Sequence, residues 1–172
     1  MVRVWLNRLS ELQHLALLLL TSYLIITSNW ILIGRALRDN ASIWDTSHVY
    51  LGLVTAVLST TFLIRNCIRG KWRQYFTWLA GDFSQVKQDI IGCAKGKIPV
   101  AGGKGLYSVL EGIGMLLLFA TGLTGTFWFL AQGTADAMLW RGYHVAFAQG
   151  FIGFLILHFI CACLHVADFI RH

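Results

Sequence analysis

The chain has 172 residues, of which 56% are apolar, 13% are charged and one is proline, with a formal net charge of +6 and a mean hydropathy of +0.63. Soluble globular domains carry about 25% charged and 45–50% apolar residues, so this balance excludes an ordinary water-soluble domain. The 7 Trp and 11 Phe exclude a disordered chain. A membrane helix needs roughly 20 apolar residues, so the length holds four spans and one modest loop and leaves no room for a soluble catalytic domain.

The first apolar run, Leu12–Ile33, follows Arg3 and Arg8. A secretory signal has an apolar core of about 7–15 residues and a small-residue cleavage site; this run is longer and lacks such a site, so it is a retained helix. The second run extends from Val49 to about Ile68 and is thinned by Arg65 and Asn66. A 36-residue loop, Arg69–Lys104, separates it from the third run, Leu106–Leu130. In that loop Trp72, Tyr75, Phe76, Trp78, Leu79, Phe83, Val86, Ile90 and Ile91 recur at three- and four-residue steps among charged residues. This pattern predicts one or two short amphipathic helices lying on the membrane surface. The fourth run is Val145 to about Ile170.

Basic residues set the orientation. Arg3, Arg8, Arg65, Arg69, Lys71, Arg73, Lys87, Lys95, Lys97, Lys104 and Arg171 fall on one side and Arg35, Arg38 and Arg141 on the other. The excess predicts cytoplasmic N and C termini and a cytoplasmic long loop. These residues form no stripe with aromatics, so nucleic acid is not a partner; membrane lipid is. Cys67, Cys93, Cys161 and Cys163 make no C-x-x-C or C-x-x-C-H pattern, and Cys161 and Cys163, within an apolar run, read as small buried hydrophobes. The predicted fold class is an all-α integral membrane protein. Its four-transmembrane-helix bundle forms one membrane-embedded domain over residues 1–172, with an amphipathic loop between helices 2 and 3.

Five of the six histidines lie in the spans or at their ends: His14, His48, His144, His158 and His165. Ionisable side chains in membrane spans are rare and mark functional sites. His144 and His158 are fourteen residues apart, close to four helical turns, so they share a face at a separation of ~21 Å along the axis. By depth, His48 faces His144 near the outer surface and His14 faces His158 in the inner half. Paired imidazoles from facing helices are how a helical membrane protein holds b-type haem without covalent attachment. Gly52, Gly150 and Gly153, with Gly112, Gly114, Gly122 and Gly125 on the third span, leave room for a porphyrin or for close helix contact. His165, seven residues after His158, competes with it by depth or sits near a haem propionate or a quinone. Glu111, five residues into the third span, is a candidate for proton exchange with a quinone. The alternative function is a histidine-dependent metal or proton transporter. Zinc sites draw ligands from closer spacings, and proton paths place acidic residues mid-membrane, so this alternative fits less well.

The chain resembles the cytochrome b (gamma) subunit of membrane-bound formate dehydrogenases and, more loosely, the b-type cytochromes of nickel–iron hydrogenases and thiosulfate reductases. The resemblance runs nearly end to end: His14, the stretch His48-Val-Tyr-Leu-Gly52, the Trp78-Leu79 pair in a long basic loop, and His144 followed by His158. It implies two haem b groups, the outer one ligated by His48 and His144 and the inner one by His14 and His158. It further implies a membrane anchor that relays electrons between an iron–sulfur or multihaem subunit on the outer side and menaquinone or ubiquinone, with no bond-making chemistry of its own. The family's Asn-Ala-Gly-Gln-Lys quinone segment reads Val100-Ala101-Gly102-Gly103-Lys104 here, so Gly102 and Lys104 match but Val100 lacks the amide of the Asn. The implied quinone or propionate site comprises Gly102, Lys104, Glu111 and His165.

Overall fold

The computed structural model describes residues 2–68, 72–99 and 103–171, and every regular element among them is helical. Arg69, Lys71, Val100, Ala101, Gly102 and His172 lie outside the described residues. The elements are α1 (Val2–Thr27), α2 (Ile43–Asn66), α3 (Trp72–Tyr75), α4 (Thr77–Ala80), α5 (Ser84–Ala94), α6 (Leu106–Leu130) and α7 (Asp136–Arg171), with a 3-10 turn at Ser28–Trp30. Four helices, drawn from α1, α2, α6 and α7, are long and apolar enough to cross a membrane. The all-helical membrane class predicted from composition is therefore present, and α6 matches the third apolar run end to end.

The other three helices depart from their apolar runs for local reasons. α1 stops at Thr27, although apolar residues continue to Ile33, and polar side chains there take up its last carbonyls. Thr27 Oγ1 donates to the Tyr23 carbonyl at 2.7 Å, Ser28 Oγ to Ile25 at 2.6 Å and Asn29 Nδ2 to Ile26 at 3.3 Å. α2 begins six residues before Val49 because Ser42 and Asp45 form a reciprocal capping box. The Asp45 amide donates to Ser42 Oγ at 3.1 Å and the Ser42 amide to the Asp45 carboxylate at 3.3 Å. α7 begins at Asp136, an acidic residue in its first turn, nine residues before Val145. Arg141 and Gly142 hide this amphipathic start from a hydropathy reading, but Ala137 within it is fully buried.

The structure divides into two compact units. The first comprises Met1–Leu63 and Leu118–Gln149. α1 and α2 are joined there by Gln13 Nε2, which donates to the Leu58 carbonyl at 2.9 Å and to Thr61 Oγ1 at 2.8 Å, and by Tyr23 Oη against Ser47 Oγ at 2.9 Å. α2 and α6 meet where Gly122 faces Ala56: a Cβ at 122 would lie 2.9 Å from the Ala56 Cα. The segment between α1 and α2 closes one end. Trp128 Nε1 donates to the Gly34 carbonyl at 3.0 Å, the Leu37 amide to Gln132 Oε1 at 2.8 Å and the Gly133 amide to the Arg35 carbonyl at 3.1 Å. Beneath these bonds Val49, Trp128 and Ala137 form a buried cluster with Ile33, Leu37 and Trp140 packed on it.

The second unit comprises Ile64–Leu117 and Gly150–His172. The long loop contributes three short helices where one or two were predicted. The chain breaks at Phe76, which is buried beside Gly112 of α6; a Cβ at 112 would fall on the Tyr75 carbonyl. α4 ends at Gly81, whose φ of 67° is left-handed and suits glycine. α5 then holds the start of α6. Gln85 Oε1 accepts from the Lys104 amide and the Asp89 carboxylate from the Leu106 amide, both at 2.8 Å. Asp89 thus caps α6 from a separate helix. Asp89→Ala is expected to cost about 1 kcal/mol, the usual loss for an N-cap, and to speed amide exchange at Leu106 while leaving α7 unaffected; hydrogen exchange by residue checks it.

Candidate functional site

In the first unit α2 and α7 bring two of the predicted histidines together. The His48 and His144 ring centres stand 6.2 Å apart with the ring planes at 89°. His144 Nδ1 lies 2.9 Å from the Thr121 carbonyl. A carbonyl only accepts, so Nδ1 carries the proton and Nε2 keeps its lone pair. The ring reaches that carbonyl because position 125, one turn further along α6, has no side chain: a Cβ there would lie 3.1 Å from His144 Nδ1. His48 Nδ1 is sealed from solvent with no hydrogen-bond partner among the described residues, and the Leu24 carbonyl interacts with the ring. Leaving a buried polar group unsatisfied costs about 1–3 kcal/mol, and the Leu24 carbonyl beside the ring offsets part of that cost.

His14 belongs to the first unit, where its ring meets Phe62 edge-on at 6.0 Å beside the Gln13 tie to α2. His158 belongs to the second, with its ring 5.3 Å from Phe154, which is stacked in turn on Phe151 at 5.7 Å. The remaining candidates lie in the second unit. Lys104 Nζ is paired with the Asp82 carboxylate at 3.0 Å. Hydrogen bonds from Ser84 and then Lys104 hold the Asp82 carboxyl below its ordinary range. Glu111 acts electrostatically on Tyr75, whose hydroxyl is raised first by burial and further by that charge. His165 meets Tyr107 edge-on at 6.0 Å, and Tyr107 precedes Glu111 by one turn of α6. Gly102 lies outside the described residues.

Residues 6–168 match the family described as prokaryotic cytochrome b561. The chain belongs to this family. No curated protein and no solved structure matches it. It is accordingly a multi-pass membrane b-type cytochrome for electron transfer, in a family that binds haem b.

The His48–His144 geometry fits that group. The ring centres stand 6.2 Å apart, a separation at which the two imidazoles could together hold one haem iron. A metal-bound histidine commonly donates its other ring N–H to a backbone carbonyl, and the Thr121 carbonyl is placed to accept such a bond from His144. One turn along α2 from His48, a Cβ on Gly52 would meet no protein atom within 4 Å, which leaves open room beside the ligand. Among the described residues no three His, Cys, Asp or Glu side chains gather as a metal site. A two-imidazole donor set suits a metal whose other four ligands come from a macrocycle. The sequence reading missed Thr121, which acts through its backbone and leaves no side-chain signal, and the specific task of Gly125. It also missed Asp45, although Ser42-x-x-Asp45 is a legible capping pattern.

Proposed function

We propose that this cytochrome binds two b haems and carries electrons across the membrane between a redox subunit on its outer side and the quinone pool. His48 and His144 hold the outer haem, and His14 and His158 the inner one. The facing pair of imidazoles at 6.2 Å, one already oriented by a carbonyl, is the observation that carries this reading. The inner pair rests on the fourteen-residue spacing of His144 and His158, the position of His14 near the start of the first span, and the family resemblance. Bound haem supplies one-electron redox chemistry, and the protein supplies spacing, ligand orientation and local charge. His144 is kept in one tautomer by Thr121, so its Nε2 needs no proton rearrangement to serve as a ligand.

The orientation proposed has cytoplasmic termini, from the basic residues of the long loop. The quinone would meet the protein at the cytoplasmic end, near Gly102, Lys104, Glu111 and His165. Tyr107 and Glu111 on one face of α6 and His165 on α7 provide polar groups there, and Lys104 would have to exchange its Asp82 partner to take part. An iron–sulfur or multihaem subunit is the outer partner, as in the formate dehydrogenase and hydrogenase complexes that the chain resembles.

A dithionite-reduced minus oxidised spectrum, with haem counted as the pyridine adduct on folded protein, tests this. Two b haems per chain are expected. One haem would remove the inner pair from the proposal, and none would overturn it in favour of a histidine-dependent transporter.

A further inference from the structure

Each histidine of the facing pair is preceded, one helical turn earlier, by a charge of opposite sign: Asp45-x-x-His48 on α2 and Arg141-x-x-His144 on α7. The two charges are placed differently. Arg141 is exposed, so solvent screens it. Asp45 is 1% exposed. Its carboxylate accepts the Leu32 amide at 2.8 Å and the Ser42 amide at 3.3 Å. The Arg38 guanidinium stands 3.7 Å away with its own side chain 55% exposed. Asp45 acts electrostatically on the His48 ring, and Arg141 on the His144 ring.

A capping box needs only an acceptor at its third helical position, which Gln or Asn could supply. Burying a full negative charge there is costly unless it is compensated. The compensation present is two backbone amides and one half-exposed arginine, which offset the charge of the carboxylate only in part. An anion fixed one turn from His48 would favour the oxidised form of a bound haem iron, which carries one more positive charge than the reduced form.

We infer that Asp45 sets the potential of the outer haem, holding it low through its charge beside His48, with Arg38 partly offsetting that charge. The inference rests on the His48–His144 haem proposed above. Both ends of the lever are neutral-for-charged replacements of similar shape. Asp45→Asn keeps an acceptor for the Leu32 amide and removes the charge. Arg38→Gln leaves the carboxylate less compensated.

The test is a spectroelectrochemical titration of the full-length holoprotein and of each variant. The outer component is identified as the one missing in His144→Ala. Asp45→Asn is expected to make the outer haem easier to reduce by about tenfold in its equilibrium constant, or 59 mV for one electron, with the inner haem unmoved. Arg38→Gln is expected to move the outer haem in the opposite direction by a smaller amount. A purely structural Asp45 would leave the outer potential unmoved in Asp45→Asn, or move it in the same direction as Arg38→Gln does; either result overturns the inference. If Asp45→Asn loses the outer haem, Asp45→Ser, which keeps a neutral capping acceptor, takes its place: an upward shift supports the inference and an unchanged potential overturns it. A wild-type protein without the outer component would overturn the haem reading itself, and that failure is distinct because it is visible before any variant is made.

Discussion

Replacing His144 with alanine is expected to halve the haem bound per chain and to leave the remaining component with its spectrum and potential unchanged. The expectation follows from the construction of the first unit, where His48 and His144 come from α2 and α7 and, among the described residues, no third imidazole is present at that end. Under the proposed pairing, loss of one histidine would leave a single imidazole and weaken the hold on a non-covalent haem. Collapse is not expected alongside it. The buried cluster of Val49, Trp128 and Ala137 and the bonds from Trp128, Gln132 and Gly133 to the segment after α1 do not involve the ring. His48→Ala should therefore remove the same component, and the double variant no more than either single one. That equivalence is the stringent part: two residues acting as one unit give non-additive losses. If the two single variants removed different components, the pairing would be wrong even with the haem count unchanged. Pyridine haemochrome quantification with a redox titration of each variant reads all of this.

The class of the protein was legible in the sequence because membrane insertion is a bulk property. Runs of roughly 20 apolar residues separated by basic ones leave little choice of architecture. α6, with Glu111 as the one charged residue inside Leu106–Leu130, was legible to the residue. α2 and α7 were displaced because hydropathy detects lipid contact, while helices begin where their amides are capped. Ser42 and Asp45 start α2 ahead of its apolar run, and Asp136 starts α7 ahead of Arg141. The shift matters for the site. It places His48 and His144 inside regular helix, each about one and a half to two and a half turns from its start, where their directions are fixed. The pairing of these two histidines could be argued from depth, but the partner of His144 could not. A backbone carbonyl is offered by every residue alike, and only the three-dimensional approach of α7 to α6 selects Thr121. The tie between α5 and the start of α6 was likewise invisible, because Asp89 and Gln85 cap amides that follow them by seventeen and nineteen residues.

Gly125 and Gly122 lie three residues apart on α6 and are expected to fail in different ways when substituted. A Cβ at 125 meets only the His144 ring, at 3.1 Å from Nδ1 and 3.2 Å from Cε1. A ring can yield by a few tenths of an ångström, so Gly125→Ala should fold, and alanine's higher helix propensity, worth ~1 kcal/mol over glycine in a helix interior, favours it. The yielding ring moves off the Thr121 carbonyl, whose 2.9 Å bond fixes its tautomer and direction. Loss of such an outer-shell partner typically costs about 10–100-fold in metal affinity. Gly125→Ala is therefore expected to weaken the outer haem by that order and to alter its low-temperature ferric resonance, while the inner haem keeps its own signal. At 122 the obstacle is backbone and cannot yield, since a Cβ would sit 2.9 Å from the Ala56 Cα. Gly122→Ala must part α2 from α6, so it should lower the melting temperature and disturb the outer haem together. Haem titration beside thermal unfolding separates the two. A stable Gly125→Ala protein with full outer-haem affinity would show that the Thr121 bond does not orient the ligand. A Gly122→Ala protein of unchanged stability would show that α2 and α6 do not meet this closely.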